Sequence, residues 1–290
     1  MTARLRGVKL PDFGEPTERP KLPDDLYAVR FRRFRERLLA HGYDAAVVYA
    51  DREHSANLAY LTGFDPRFEE AILVVRSSGL PLILVGNECV GTAQAASLPM
   101  RVELHQDLSL PNQPRNQSRS LGDVLESESI TAGASVAMIG WKESIHRSLI
   151  EVPAFVVDSV RAAVGGAGLV ENAGYILTDS AEGLRIINEI DQLAVFEYAA
   201  CRTSNGVRNL MFGLVPGMRE DEAVRLLKWD GSPLSCHLML TSGSRASLGL
   251  LSPSDRRIER GDRFTTAFGI WGGAQLSSRL RSGGRVRATR

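Results

Sequence analysis

The chain of 290 residues carries a formal net charge of +1, with 43% hydrophobic and 24% charged residues. That balance excludes a disordered or fibrous chain, and it leaves no overall field to hold nucleic acid or an anionic membrane surface. No apolar run is long enough to span a bilayer, and the three widely spaced cysteines, Cys89, Cys201 and Cys236, exclude a disulfide framework and a close-spaced zinc site, pointing to free thiols in a reducing, cytoplasmic setting.

Residues 1–25 hold Pro11, Pro16, Pro20 and Pro23 among charges. Proline's fixed φ and missing N–H predict an extended arm there, and charges stand where a secretory leader would need its apolar core. Residues 26–41 fit a helix: Phe31, Phe34, Leu38 and Leu39 share a face, arginines cover the other, and Gly42 follows as a stop. The run Ala45-Ala46-Val47-Val48-Tyr49-Ala50 is a short apolar strand, and residues 71–75, 82–85, 101–104, 136–139 and 155–157 are further strands. Helices are expected between them at residues 88–96, 118–128 and 142–150. Strands alternating with helices argue an α/β domain with an at least partly parallel sheet, spanning residues 26–175. The polar run 112–117 reads as an exposed loop. Gly165-Gly166-Ala167-Gly168 lacks both the GxGxxG spacing and a Walker lysine, so it reads as a turn rather than a phosphate cradle.

From Ala181 the character changes. Helical periodicity runs through Leu184, Ile187, Ile190, Leu193, Ala194, Val207, Leu210 and Met211, and ends near Pro216-Gly217. A shorter helix is expected at 220–228 and a strand at 234–241, which sets the domain boundary near residues 172–182 and a second domain over 182–276. Residues 277–290, rich in Arg, Gly and Ser, cannot build core and read as a disordered basic tail. A nucleic-acid-binding tail is the weaker alternative for a neutral chain.

Two stretches carry a family likeness. The first is Asn57-Leu58-Ala59-Tyr60-Leu61-Thr62-Gly63-Phe64, set between two strands and preceded by Asp51-Arg52-Glu53-His54. It resembles the N-terminal domain of creatinase and the Xaa-Pro aminopeptidases, where an N-x-x-Y-L-T-G-F segment precedes a strand. The second is Pro216-Gly217-Met218-Arg219-Glu220, after a long helix and before Gly261-Asp262-Arg263-Phe264. It resembles the opening of the pita-bread catalytic domain. The resemblance covers roughly residues 26–275 and implies an α/β fold, a creatinase-like N-terminal α/β domain followed by a partial pita-bread α+β domain.

By that resemblance the relatives cleave peptides next to proline, or a C–N bond in small amidino compounds, with two divalent metal ions held by two aspartates, a histidine and two glutamates. Counting on from Gly261-Asp262 at the family's spacing puts the first aspartate at Ala267 and the second at Ser278, and the substrate-contacting histidine at Gly249. A methyl cannot ligate, and a serine hydroxyl is a poor substitute for a carboxylate. The expectation is a chain that stops partway through the catalytic domain and has no metal cofactor and no catalytic residues. The groove candidates that the likeness leaves are His54, Tyr60, Arg67, Glu70 and His237.

Each candidate also has a plain reading. His237 alternates with Cys236 and Leu238 and has no second ligand nearby, which suits a structural or exposed histidine. Glu69 and Glu70 read as a solvated strand entry, Asp262 as a turn carboxylate, Cys201 as a small core residue, and Trp229 and Trp271 as packing. Three rivals to an inactive peptidase homologue follow: a peptide- or protein-binding module, an enzyme completed by a second chain, and a gene fragment. A homodimer and a peptide ligand are the expected partners, with no nucleic acid and no membrane.

Overall fold

The computed structural model describes Gly7, residues 14–249 and residues 251–272. The chain divides into two units: Leu22–Glu189, and a second built from the described parts of Met1–Lys21 and Ile190–Arg290.

The first unit opens with helix α1 (Asp24–Ala40), followed by β1 (Ala45–Ala50), α2 (Ala56–Thr62), β2 (Ala71–Arg76), β3 (Leu82–Val85), α3 (Val90–Gln94), β4 (Arg101–Leu104), α4 (Leu121–Ser127), β5 (Ser135–Ile139), α5 (Ala154–Val164), β6 (Leu169–Asn172) and α6 (Tyr175–Thr178). The six strands form one sheet in the order β4-β3-β2-β1-β5-β6. Strand β2 runs antiparallel to both its neighbours, and every other pairing is parallel. Every residue of β1 and β3 is buried, which is why these strands read as unbroken apolar runs rather than as alternation.

The pleat sends alternate residues to two cores. Ala46, Val48 and Ala50 pack with Phe31, Phe34 and Leu38 of α1 and Leu58 and Leu61 of α2. Ala45, Val47 and Tyr49 pack with Val124 and Leu125 of α4 and Val156, Val160 and Val164 of α5. The result is a sheet covered on both faces.

Four expectations change. Residues 155–157 lie in α5: Pro153 sets the N-terminus, and Val156, Val157, Val160 and Val164 repeat at helical spacing, so tertiary burial overrides the β preference of valine. Residues 142–150 are not a helix, because side chains take their backbone groups. Glu151 accepts from the amides of Trp141 and Lys142 at 2.7 Å each, and Asn172 donates to the carbonyl of Leu149 at 2.9 Å. Residues 181–189 fold back onto the first unit, where the amides of Leu184 and Arg185 bond the carbonyls of Ile176 and Leu177. The division therefore falls after Glu189, later than the 172–182 read from the sequence. Leu39 of α1 is 56% exposed.

Arg30 departs furthest from the pattern. It sits on the helix whose arginines were assigned to solvent, yet it is 1% exposed. Its guanidinium donates to Glu189 Oε2 at 2.6 Å and Oε1 at 3.3 Å and to the Tyr60 carbonyl at 3.5 Å, and lies 4.3 Å from the centre of the Tyr60 ring. A buried charge needs such a set of partners.

In the second unit α7 (Ile190–Gly213) leads to α8 (Glu220–Ala223), a 3-10 turn at Val224–Leu227, and an antiparallel ribbon of β7 (Met239–Ser242) and β8 (Phe264–Ala267). Strand β7 is shorter than expected, with Leu234 making only an isolated bridge to Ile270. Its core joins Val207 and Leu210 of α7 to Leu227, Leu240, Ile258, Phe268 and Ile270. Because α7 starts at Ile190, its buried face is phased by Ala199, Thr203, Gly206, Val207 and Leu210, while Leu193 and Met211 are half-exposed. Gly206 is required where helix meets ribbon: a Cβ there would lie 2.8 Å from Phe268 Cε1 and 2.9 Å from the Leu227 carbonyl. The basic tail expected at residues 277–290 lies outside the described residues.

Glu189→Gln should lower the stability of the first unit by about 1–3 kcal/mol, since it removes the charge that answers buried Arg30. Urea denaturation followed by circular dichroism checks this; an unchanged midpoint would mean that Tyr60 alone satisfies the guanidinium.

Candidate functional site

Strands β1 and β5 are parallel neighbours, so the loops that follow them leave the same edge of the sheet. Asp51, just past β1, organises the first loop by accepting from the amides of Glu53 and His54 at 2.9 Å each. The same carboxylate holds the His54 ring, whose Nδ1 lies 2.9 Å and 3.0 Å from its two oxygens. In a neutral ring whose Nδ1–H donates to the carboxylate, Nε2 is the acceptor. The imidazole stacks on Trp141 of the second loop, with ring centroids 3.9 Å apart and planes 20° from parallel, and the Lys142 ammonium lies 4.0 Å from the indole centroid.

Two more groups join from the neighbouring strands. Tyr49 of β1 and Glu70, the residue before β2, influence each other electrostatically. Burial, reinforced by the charges of Glu70 and Asp51, raises the Tyr49 phenol pKa. Burial also raises the Glu70 carboxyl, helped by Asp51 and opposed by Tyr49 and Arg115. Asp51 thus holds His54 directly, and its charge also acts on Glu70.

Tyr60 and Arg67 do not join it. Tyr60 is buried beneath Arg30 and donates its hydroxyl to the Leu184 carbonyl at 2.8 Å. Arg67 is an exposed turn residue at φ 61° whose amide donates to Asp65 Oδ1 at 2.8 Å. Glu69 is not a solvated strand entry: it is 2% exposed and accepts from the Glu88 amide at 3.2 Å. Burial, with Glu69 beside it, pushes the Cys89 thiol up to about 12, so it is no nucleophile.

Sequence reasoning missed Asp51, Trp141 and Lys142. The i, i+3 pairing of Asp51 and His54 after an apolar strand was a local signal; Trp141 had none, because the fold brings it from the next parallel strand. Chemically the cluster is an oriented histidine beside an indole and an ammonium. Among the described residues no hydroxyl or thiol bonds to His54, so it lacks the nucleophile that would make it a triad.

The second unit is organised by a different carboxylate. Gly217, at φ 93°, donates its amide to the Ile258 carbonyl at 2.7 Å and sets the start of α8. Three residues on, Glu220 is fully buried. Its Oε1 accepts from the Ser242 amide at 2.7 Å and hydroxyl at 2.8 Å, and its Oε2 from the Ser254 amide at 3.0 Å and hydroxyl at 2.7 Å. The Pro-Gly-x-x-Glu run is thus more than a helix start, since its glutamate staples α8 to the end of β7. Asp262 is a turn carboxylate that pairs with Arg256 at 2.6 Å and accepts from the Glu259 amide at 2.8 Å.

The family's metal positions look as follows. Ala267 closes β8, buried and paired with Met239. Gly249 is exposed at φ 109°, and Ser278 lies outside the described residues. His237 is exposed ahead of β7. Trp229, expected as packing, is 51% exposed and donates its indole N–H to the Ser232 carbonyl at 2.7 Å. Among the described residues no group of three or more His, Cys, Asp or Glu side chains is gathered to hold a metal ion, and no helix is long and apolar enough to cross a membrane.

A two-faced α/β sheet with one antiparallel strand, followed by a long helix and a ribbon, places the chain in a two-domain α/β class. Residues 30–148, all within the first unit, match the family described as the Creatinase/Prolidase N-terminal domain. The chain shares its fold with the prolidase of Pyrococcus horikoshii OT3 (TM-score 0.61, 16% identity, 84% of this chain and 61% of that one). The dipeptidase PepE of Mycobacterium ulcerans is similar (0.60, 16%, 86% and 62%), as is the X-Pro aminopeptidase of Thermotoga maritima MSB8 (0.61, 16%, 83% and 61%). The chain therefore spans less than two thirds of the length of these relatives. No curated protein matches the sequence.

Glu220 yields a pH-dependent expectation. Burial would raise its pKa, but the hydrogen bonds from Ser254 and Ser242 outweigh it and hold the carboxyl below its ordinary 4.5. A depressed folded-state pKa means that its stabilisation is full above the unfolded value and is lost as pH falls below about 4.5, through the folded pKa. Glu220→Gln should cost about 2–4 kcal/mol at neutral pH and flatten that acid limb. Denaturation midpoints between about pH 3 and 7 test it; a variant with the parent's acid limb would exclude Glu220 as its source.

Proposed function

We propose that this chain is a non-hydrolytic protein of the prolidase-type fold that works by binding peptide or protein. Ala267 carries the reading. By family likeness it holds the place of the first metal-ligating aspartate, and it is a buried residue locked into the ribbon opposite Met239. Hard divalent cations take oxygen ligands, and a methyl group offers no lone pair. The residues present do not fit a two-ion centre, and no step through a metal follows from them.

Among the described residues no other activated nucleophile replaces it. Cys89 is buried and held as the neutral thiol, and the Asp51–His54 pair has no hydroxyl or thiol partner among the described residues. What supports binding is the loop beside His54, where Trp141 is 39%, Leu149 59% and Ile145 98% exposed, flanked by Lys142 and Arg147. Exposed apolar and aromatic side chains rimmed by charge are the ordinary composition of a contact surface.

Purified chain supplied with manganese should turn over no Xaa-Pro peptide above background and retain less than one ion per chain after dialysis. Elemental analysis and a proline-release assay decide. Turnover that copurifies with the chain and is abolished by a chelator would overturn the reading.

A further inference from the structure

The segment that folds back at the end of the first unit carries a cation without a counter-charge. The Arg185 amide donates to the Leu177 carbonyl at 3.0 Å, and the Leu184 carbonyl just before it accepts from the Tyr60 hydroxyl at 2.8 Å. The backbone is therefore pinned on both sides of the residue's peptide. The Arg185 guanidinium is half-buried and donates through Nη1 to Asn57 Oδ1 at 2.7 Å. Asn57 is 3% exposed, and its Nδ2 is committed to the Gly140 carbonyl at 2.8 Å, so its Oδ1 faces the arginine and holds the guanidinium in one orientation. Among the described residues this is the one hydrogen bond that the guanidinium makes.

The charge around it is one-sided. Among the described residues, the charges that act on Tyr60 are those of Arg30, Glu189, Arg33 and Arg185. The carboxylate of that set is already taken, since Glu189 pairs with Arg30 at 2.6 Å and lies 3.9 Å from Arg33. Burial pulls the Arg185 guanidinium below its ordinary range; Tyr60 opposes the fall, Arg30 adds to it, and no carboxylate enters. The other half-buried arginines of this unit are better answered. Arg76 has Glu128 at 3.2 Å, Arg37 has Glu182 at 3.5 Å, and Arg35 spends its donors on the Arg76 and Gly79 carbonyls. Taking a charge out of water without a counter-charge is costly. A planar guanidinium fixed at one end, with N–H groups unspent at the other, matches the two oxygens of a carboxylate.

We propose that Arg185, oriented by Asn57, is the receptor for one carboxylate brought by a ligand. Its half-burial leaves it reachable, and the bound anion supplies the counter-charge that the three arginines around Tyr60 lack. That the carboxylate belongs to a peptide rests on the binding reading above; the carboxylate site itself does not.

Acetate is the probe, and thermal unfolding of the full chain at neutral pH is the measurement. As acetate replaces chloride up to about 200 mM at fixed ionic strength, the midpoint should rise by about 2–5 °C and then level off, as binding to the folded state requires. Arg185→Gln, which still offers an N–H to Asn57 without the charge, should abolish the rise. Arg185→Lys, which keeps the charge and loses the planar fork, should retain only part of it. Arg161→Gln, at an exposed arginine of α5, should respond as the parent does. Saturation transfer from the unaltered chain to the acetate methyl protons gives a second measurement that holds even where a variant folds poorly. No rise over chloride, a rise that never levels off, a full rise in Arg185→Gln, or a response to phosphate with none to acetate would each overturn the proposal. A positive peptidase assay would remove the non-hydrolytic reading and leave this site intact, whereas a missing acetate response would remove the site and leave that reading standing.

Discussion

The first unit depends on one buried cation. Arg30 emerges from α1 into a site with almost no water, and an unanswered guanidinium there would cost several kcal/mol. Its partners come from three places in the chain: the Tyr60 carbonyl and ring from α2, the Tyr27 ring one turn back on α1, and Glu189 from the last residue of the unit. Satisfying the charge therefore fixes where the unit ends. Burial alone would raise the Glu189 carboxyl, but the hydrogen bond and charge of Arg30 hold it below its ordinary range.

The same bracket reaches the loop beside His54. Tyr60 donates to the Leu184 carbonyl, and Arg185 donates to Asn57 Oδ1 at 2.7 Å. Asn57 in turn donates to the Gly140 carbonyl at 2.8 Å, one residue ahead of Trp141. The Asn-x-x-Tyr spacing on α2 thus has a physical meaning: it ties the returning segment 184–185 and the loop after β5 to one helix. The buried carboxylates are spent in the same way, Glu69 on the Glu88 amide, Glu128 on Arg76 and Arg101 and Glu220 on two serines, whereas His54, Trp141 and Glu70 keep access to solvent.

The sheet was legible because its central strands are short, continuous apolar runs bounded by turns. Residues 45–50, 71–75, 82–85, 101–104 and 136–139 all lie in strands. Burial on two faces leaves that signature whatever the helices do. Helix α5 was misread because three β-branched or aromatic residues in a row outweighed the wider spacing that includes Val160 and Val164. Strand β6 escaped notice as an edge strand of four residues, two of them polar. In the site, Glu70 and His54 stood out because they adjoin a recognisable motif. Arg30 and Glu220 did not, because their roles are set by partners 159, 22 and 34 residues away that no local pattern announces.

The packing around Glu69 also decides which sulfurs of this chain can be reached by reagents. Cys89 is 3% exposed, gives its S–H to the Pro66 carbonyl and sits beside a buried anion that disfavours the thiolate. Cys201 and Cys236 are both partly exposed and both belong to the second unit. A maleimide dye or a spin label attached to the native chain therefore reports on α7 and the approach to the ribbon while the sheet domain stays dark, so the molecule carries its own domain-selective handles without an engineered cysteine.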